Sequence, residues 1–557
     1  MKRILISMLL SGFLLGIAGC SQHSGGTAHT ASGEDTSTSS PNTTDPVQTG
    51  VTDDFVNAVE EGVPNDGSDC TSKLRNCILK NKKVFLPAGT YKITSPISLR
   101  DNTAIIGEEG TVIEIDKDIN VFEITGRFVS KTTPAERKEN ISISNITVNS
   151  DQPRNYYVIK AKSVKGLYVD GLRVTNMGGI ETNVVYDINA FDGTYNPVAT
   201  AGVFSDDCLS EDIRITNCQI DCGDYTDRGA TGIYLQFTKD FTVTDCSVVN
   251  AWQGIQFWGG DSAYERGGKP DNPRRCKNGS ISNCRASDIG GGGIWGSFGE
   301  DITVTECVVA RCTDVGIDFE GCHNATASYN VASDCRNGNY ATFQYATGVI
   351  VFSHNESHLS AGYNQHFFNS NSTLTAVEQD ITFDHCTFTS EDISSVNCQS
   401  AMSRFTFTNN TCTNTTVNTT GINIWDVRIE NNTFRMDLPL TEEKPAVIYA
   451  TNHNNLGETE DRITVKNNTV TTSVPQTYSG ILIYYNMPSC DGYAACSDNT
   501  VSGFAQDILI RNNPRVSRML YVKCQNNTAS SIVCEGNVTC DASGNHTADG
   551  ADITPTV

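Results

Sequence analysis

Two acidic side chains, Asp318 and Glu320, stand two positions apart in a short segment with the pattern of a β-strand. Residues 316–321 alternate apolar and acidic, so Ile317 and Phe319 share one face and the carboxylates share the other. Strand geometry sets the Cβ atoms of the two acids roughly 6–7 Å apart, and rotamers then allow carboxyl separations of about 5 to 9 Å, a range that includes retaining and inverting glycosidases. Two neighbouring carboxylates raise the pKa of one of them, as a general acid requires. The pair therefore predicts glycoside hydrolysis, with one carboxyl as acid and the other as base or nucleophile.

A strand-like sequence pattern, which usually begins with glycine, recurs on both sides of this pair. If these strands stack, the pattern predicts two rows of outward side chains. The first row is Tyr234, Gln256, Trp295, Asp318 and Thr342, and the second is Gln236, Trp258, Ser297, Glu320 and Gln344. Aromatic rings stack on sugar faces, and amides bind sugar hydroxyls. We therefore expect six of these side chains to contact substrate: Tyr234, Gln236, Gln256, Trp258, Trp295 and Gln344. Two alternatives to a catalytic role for Asp318 and Glu320 are that they are ordinary solvent-facing acids and that they bind calcium.

Four further acidic or imidazole groups are secondary candidates. The predicted register points His366 outward, two coils beyond Asp318 and about 10 Å along the axis, as a base or a substrate contact. Asp206 and Asp207 are similar to the paired aspartates of polygalacturonase-like hydrolases, although the sequence lacks that family's Asn-Thr-Asp, Gly-His-Gly and Arg-Ile-Lys patterns. Glu181 is predicted at the edge of the same cleft.

Two insertions interrupt the strand rhythm, at 180–203 and at 259–278. The second follows the strand row two coils before the acidic pair and is the most basic stretch of the chain, with Arg274 and Arg275 among its cations. Insertions in a solenoid often build its binding face. We predict an arm over the cleft that binds a negatively charged glycan, and the alternative is a solvated loop.

The elements that must position these groups are short strands separated by Pro, Gly and polar turns. Three of them are predicted at 84–93, 97–99 and 104–107. The passage resembles the opening coils of the pectate-lyase-like superfamily of right-handed parallel β-helices. The resemblance implies an all-β fold, a single-stranded right-handed parallel β-helix (solenoid) with inserted loops, and leaves the substrate open. Residues 53–79 are compatible with a short amphipathic helix in an N-terminal cap.

An internal repeat supports the solenoid independently, because many predicted strands end in Cys or Asn at a fixed position. Cys284, Cys307, Asn330 and Asn355 follow one another at an interval of about one coil. Such a column predicts an inward ladder in which side-chain amides satisfy the backbone groups of the turns. The cysteines are therefore interpreted as small buried side chains rather than as metal ligands or nucleophiles.

The first residues predict export and a lipid anchor. Lys2 and Arg3 precede a short apolar run that ends in Ile-Ala-Gly-Cys, with Cys20 last. These four residues resemble a bacterial lipobox, which implies lipidation of Cys20. We therefore predict a lipoprotein signal peptide at 1–20, a flexible tether at 21–50 and the β-helix domain at 51–557, held at the cell surface or outer membrane.

The net charge and the cysteine content of the chain indicate which binding partners and which covalent links to expect. The formal charge of −24 over 557 residues makes nucleic acid an unfavourable partner, and we expect a monomer that meets the membrane only through its lipid. The chain has 21 cysteines, and three pairs are close enough in sequence to suggest disulfides in an exported protein: Cys70 with Cys77, Cys490 with Cys496, and Cys534 with Cys540.

The sequence thus predicts a surface-anchored enzyme that cleaves a polysaccharide, by hydrolysis at Asp318 and Glu320 and without a cofactor, unless calcium binds the pair. One alternative is a polysaccharide lyase or uronate epimerase, which needs charge neutralisation and a base such as His366 or Tyr345. The other is a glycan-binding adhesin lipoprotein without catalysis. The fold hosts all three functions.

Overall fold

A computed structural model of the chain describes residues 54–130, 133–185, 206–226, 229–260, 274–343, 346–370, 379–399, 402–420, 424–452, 462–486 and 490–556. In these residues the chain winds through three parallel β-sheets in turn, adding one strand to each sheet in most coils. Each strand pairs with its counterparts in the coils before and after it. The fold is a parallel β-helix, as the sequence predicts.

The first sheet contains eighteen strands of the described chain, ordered in space as they are in sequence. Its strands are Val56–Asn57, Lys83–Leu86, Ala104–Gly107, Lys138–Ser144, Val164–Asp170, Ser210–Thr216, Thr238–Thr244, Cys276–Ser282, Gly299–Thr305, His323–Ser328, Thr347–Ser353, Gln379–Asp384, Met402–Thr408, Ile424–Glu430, Ile463–Lys466, Gly492–Ser497, Leu520–Gln525 and Val538–Ser543.

The second sheet follows the first after a short turn in each coil. Its strands are Asp66–Asp69, Gly89–Lys92, Thr111–Ile115, Gln219–Asp221, Ser247–Val249, Arg285–Ile289, Val308–Cys312, Val331–Ser333, Glu356–Leu359, Thr433–Met436, Thr469–Thr472 and Thr500–Ser502.

The third sheet carries both rows of predicted site residues. Its strands are Ile97–Ser98, Phe122–Thr125, Thr231–Gln236, Gln253–Trp258, Ile294–Ser297, Val315–Glu320, Gly338–Phe343, Gln365–Ser370, Ala446–Asn452, Ser479–Tyr485, Gln506–Asn512 and Ile532–Glu535. Four longer strands bend from the second sheet into the third: Thr147–Lys162, Arg173–Asn183, Thr387–Cys398 and Thr411–Asn418.

Alternation along each strand divides the side chains between the core and the outer surface. On the third sheet the inward positions are aliphatic or aromatic: Ile233, Ile255, Ile294 and Ile317 are all fully buried in one core cluster. Because each of these residues pairs with its counterpart in the next coil, the outward residues that follow them are also aligned.

The predicted ladder of Cys and Asn runs along the turn between the first and second sheets. The Cys307 N–H donates to Asn330 Oδ1 at 2.9 Å, and the Asn330 N–H donates to Asn355 Oδ1 at 2.9 Å. The Asn330 amide nitrogen also donates to the Val304 carbonyl at 3.0 Å. The same pattern continues at Asn410, Asn432, Asn468, Asn499, Asn527 and Asn545. The ladder prediction is confirmed, because each buried turn amide finds its acceptor in the adjacent coil.

A single α-helix among the described residues, Thr71–Asn81, lies at the N-terminal end of the solenoid. It buries Leu74, Cys77 and Ile78, in agreement with the predicted cap. No helix in the described part of the chain has the length and apolarity needed to cross a bilayer. The predicted signal peptide, Cys20 and the tether lie outside the described residues.

All cysteines of the described chain are free thiols. The three suggested disulfides are therefore wrong for this structure. In the first pair the two thiols have different partners: the Cys70 thiol donates to the Lys92 carbonyl at 3.3 Å, whereas the Cys77 sulfur lies 3.8 Å from the Asn81 amide nitrogen within the helix.

Replacing one rung of the ladder tests its contribution to stability. Asn468 accepts two hydrogen bonds from Asn432, so Asn468→Ala leaves two buried donors unpaired. We expect a loss of about 2–4 kcal/mol in the free energy of unfolding, measured by urea denaturation. Thr464→Ala, at a half-buried outward position of the preceding strand, is the matched control and is expected to stay within about 0.5 kcal/mol of wild type. Equal effects of the two substitutions would contradict a supporting role for the ladder.

Candidate active site on the third sheet

The predicted first row is correct from Tyr234 to Asp318. Tyr234 pairs with Gln256, Gln256 with Trp295, and Trp295 with Asp318. In the next coil Asp318 pairs with Ala341, so the expected place of Thr342 in this row is wrong.

The register differs there because an aromatic residue occupies the inward position. Tyr340, not Ala341, pairs with Ile317, and its hydroxyl donates to the backbone carbonyls of Asn330 and Glu356 at 3.2 and 3.0 Å. Those two carbonyls satisfy a phenol inside the core, which the sequence pattern does not reveal. The second row holds from Gln236 to Glu320 and continues to Phe343, while Gln344 lies outside the described residues.

Asp318 is the most unusual group in these rows. Its side chain is on the outward face of the strand, yet only 3% of the residue is exposed. Its Oδ1 is buried and has no hydrogen-bond partner among the described residues. Burial, reinforced by the negative charges of Glu320 and Asp314, raises the pKa of Asp318 well above its usual range. The carboxyl group is therefore a proton donor under conditions in which an ordinary aspartate is ionised.

The neighbours of Asp318 provide an aromatic and polar surface. The indole ring of Trp295 is half-buried, and its Nε1 is a second buried polar atom without a partner among the described residues. Gln256 is buried one coil further back, and Ser297 donates to the Gly260 carbonyl. Two unpaired polar groups at adjacent outward positions are costly in the unliganded protein and favour a ligand that pairs with them.

A buried guanidinium lies near the Glu320 end of the strand. Arg274 Nε donates to the Gly321 carbonyl at 3.1 Å and its Nη2 donates to Thr347 Oγ1 at 3.2 Å, while its guanidinium lies 5.6 Å from the Phe298 ring centroid. Glu320 itself is half-buried. The site thus combines a buried carboxyl group with a raised pKa, a second carboxyl group and a buried guanidinium.

The prediction that Arg274 and Arg275 belong to an arm over the cleft is wrong. Arg274 and Arg275 are buried, because the chain returns to the solenoid at this point and the Arg275 N–H pairs with the Phe298 carbonyl at 3.0 Å. Burial lowers the pKa of Arg275 to about 10, although the negative charge of Asp206 opposes the shift. The rest of the insertion, 261–273, lies outside the described residues.

Glu181 stands in the same row as Tyr234, next to it in the preceding coil. Lys160, which the sequence reading did not single out, forms a 2.8 Å ion pair with Glu181, and Gln236 donates to Glu181 at 3.3 Å. Glu181 is 7% exposed. This cluster extends the polar row. The Glu181 carboxylate is already bound by Lys160 and Gln236.

The predicted outward position of His366 is wrong. The residue is fully buried, with Nδ1 2.7 Å from Ser357 Oγ and Nε2 3.0 Å from Thr415 Oγ1. Burial lowers the pKa of His366 to about 3, so the imidazole is neutral and structural. The register error arose because Phe367 and Phe368 hide the alternation, and it is Phe368 that pairs with Ala341 in the outward row.

The remaining predicted residues lie beside the rows. Asp206 and Asp207 form the exposed 3₁₀ turn Asp206–Cys208, ahead of a first-sheet strand, and Lys277 pairs with Asp206 at 3.1 Å. Trp258 packs edge-on against Phe237 with ring centroids 5.2 Å apart. In the described part of the chain no three His, Cys, Asp or Glu side chains converge as a metal site.

Comparisons with known proteins agree with this architecture. Residues 55–264 match the family model described as rhamnogalacturonase A/epimerase, pectate lyase-like. Residues 272–381 match the model of the right handed beta helix region. The fold is a pectate-lyase-like, right-handed parallel β-helix. The predicted fold class is thereby confirmed.

Similar solved structures are distant in sequence, and no curated protein matches the chain. The N-terminal fragment of bacteriophage phi29 gene product 12 is 13% identical, with 88% of this chain and 93% of that chain covered and a TM-score of 0.44. The A-module of the Azotobacter vinelandii mannuronan C-5 epimerase AlgE6 is 12% identical, with 64% and 98% covered and a TM-score of 0.33. The Agl-KA catalytic domain is 13% identical, with 90% and 68% covered and a TM-score of 0.29.

The raised pKa of Asp318 predicts a pH-dependent effect of Asp318→Asn on stability. Below pH 3.8, the usual aspartate pKa, folded and unfolded chains both hold the proton. As pH rises further, the unfolded chain loses the proton and the folded chain keeps it, so wild-type stability falls by about 1.4 kcal/mol per pH unit until the folded pKa is reached. The Asn variant has no carboxyl group at this position, so its stability lacks this pH dependence. We therefore expect the variant's advantage to grow from pH 4 upward.

Thermal unfolding of both proteins between pH 4 and 8 measures this difference. Asp541→Asn, at a solvent-exposed position of the first sheet, is the control and is expected to show no comparable pH trend. A constant difference between Asp318→Asn and wild type across that range would mean that Asp318 is ionised in the folded protein.

Proposed function

We propose that the chain is a carbohydrate-active enzyme that hydrolyses a glycosidic bond, with Asp318 as general acid and Glu320 as base or nucleophile. The observation that carries this proposal is the buried carboxyl of Asp318, whose pKa is raised beside a second carboxylate. Environments that separate the pKa values of two neighbouring acids assign them acid and base roles. The family match over residues 55–264 supports the carbohydrate class of substrate.

The chemistry needs no group beyond these two and water. Asp318 transfers its proton to the glycosidic oxygen as the bond from that oxygen to the anomeric carbon breaks. Glu320 either attacks the anomeric carbon or takes a proton from the attacking water. The Trp295 indole suits the sugar ring, and its unpaired Nε1 suits a sugar hydroxyl. The Arg274 guanidinium lies near the Glu320 end of the strand.

A lyase or uronate epimerase is the second candidate, because the matched family description includes an epimerase and pectate lyase-like proteins. Both reactions abstract the proton next to a uronate carboxyl and need a cation to neutralise the charge that develops. Arg274 provides such a cation near Glu320. His366 does not serve as the base, since it lies inside the core, and Tyr345 lies outside the described residues.

Anchoring by a lipid on Cys20 at the cell surface or outer membrane is part of the same proposal. It rests on the lipobox-like Ile-Ala-Gly-Cys sequence that ends at Cys20. Metabolic labelling with a fatty acid, compared between wild type and Cys20→Ala, tests it. Equal labelling of the two proteins would contradict it.

Hydrolysis is tested with protein from residue 21 onward on neutral and uronate-containing polysaccharides. New reducing ends, absorbance of unsaturated uronates and solvent deuterium incorporation are followed together. We expect reducing ends alone, with a decrease of about 10²- to 10⁴-fold in kcat for Asp318→Asn and Glu320→Gln. Asp380→Asn is the matched control: this half-buried first-sheet carboxylate, 3.6 Å from Arg404, also has a raised pKa but lies outside the third sheet.

The other outcomes separate the candidates. Unsaturated products, or deuterium exchange without cleavage, that persist in both variants would replace hydrolysis by a lyase or an epimerase. Glycan affinity with no product on any substrate would leave a binding protein.

A further inference from the structure

A cavity opens on the outer face of the third sheet, beyond the candidate active site. Its volume is about 260 Å³, and its lining side chains include five carboxamides, two aliphatic hydroxyls and one phenol. Along the outward row that contains Asp318, the order is Ala341, Phe368 and then Asn397. The spacing of adjacent strands places Asn397 about 14 Å from Asp318, so the cavity is a separate place for a ligand.

The pairing of neighbouring strands places the residues that form the floor of this cavity. Asn397 pairs with Asn418, and Asn418 pairs with Tyr449, so two amides and a phenol ring occupy one outward row in successive coils. Tyr449 is half-buried and contacts Tyr484 edge-on, with ring centroids 6.2 Å apart. The ring is therefore held as a fixed wall beside the two amides.

The amides have hydrogen-bonding capacity left for a ligand. Asn397 Oδ1 is buried and has no hydrogen-bond partner among the described residues. Asn418 Oδ1 accepts from the Thr420 N–H at 3.1 Å, which leaves the Asn418 amide nitrogen to donate outward. An unpaired acceptor beside a donor matches a hydroxyl group, which accepts and donates at once.

The charges at the cavity cancel. Glu443 and Lys444 are neighbours in its lining, and the Lys444 ammonium donates to the Ile393 carbonyl. Burial lowers the pKa of Lys444, against the opposing charges of Glu443 and Asp392. With one cation already hydrogen-bonded and one anion beside it, the cavity has no excess charge to attract an anionic or cationic ligand.

We propose that the cavity formed around Asn397, Asn418 and Tyr449 is a binding site for an uncharged sugar unit of a glycan. Vicinal hydroxyls pair with the two amides, and the apolar face of the sugar packs on Tyr449. The choice of a glycan rests on the proposed carbohydrate activity, but the binding step does not depend on Asp318 or Glu320. A chain bound here extends along the third sheet toward the acidic pair.

Isothermal titration of the Asp318→Asn protein, from residue 21 onward, tests the site with neutral and uronate hexasaccharides as probes. We expect a neutral hexasaccharide to bind, and Asn397→Ala and Tyr449→Ala each to weaken its Kd by about tenfold or more. Tyr521→Ala is the matched control, because Tyr521 is 37% exposed and stacks on Tyr493 at 5.2 Å on the first sheet. Its Kd is expected to stay within about twofold of the parent. Thermal midpoints of all variants confirm that they are folded.

Three results would overturn the proposal: unchanged affinity in both cavity variants, binding of uronate hexasaccharides only, or no binding of any hexasaccharide. Failure of the hydrolysis experiment is a separate result, since a protein without turnover can still bind sugar at this cavity. Conversely, in an active protein with otherwise wild-type sequence, Asn397→Ala is expected to raise KM for long substrates.

Discussion

The ladder of buried Cys and Asn side chains at the turn between the first and second sheets is the interaction on which the rest of the structure depends. A parallel β-helix turns its backbone sharply several times per coil, and each turn would bury N–H and carbonyl groups that the strands cannot satisfy. Here an Asn side chain accepts from an N–H of the preceding coil and donates to a carbonyl of that coil, as Asn432 does with Asn410 and Phe407. Because each rung fixes one coil against the next, the ladder also fixes register.

A fixed register between strands brings outward residues from different coils next to one another, and so forms sites. Trp295 and Asp318 come from different coils, yet they are adjacent because the inward Ile294 and Ile317 pair with each other. The cavity at Asn397, Asn418 and Tyr449 is built in the same way from three coils. One sheet can therefore carry chemistry at one point and recognition at another, with the spacing between them set by the number of intervening strands.

In the proposed active site, burial of Asp318 sets stability against the role proposed for its carboxyl group. A carboxyl with a buried, unpaired oxygen costs free energy, as does the unpaired indole nitrogen of Trp295. A neutral amide at position 318 would remove the cost of ionisation and the proton donor together. Strained or unsatisfied groups of this kind are expected where a ligand is to supply the missing partners.

The sequence by itself determined the fold, the Cys and Asn ladder and the two rows as far as Asp318 and Glu320. These rest on period-two alternation and on a repeat, which act locally and are visible in one chain. Only the tertiary structure decided the rest. Tyr340 and His366 turn inward because distant backbone carbonyls and hydroxyls satisfy them there, and Arg274 is buried because Gly321 and Thr347 come to it from later coils. Polar and aromatic side chains are stable inside a core only where such partners exist, and partners far apart in sequence are set by the packing of the coils.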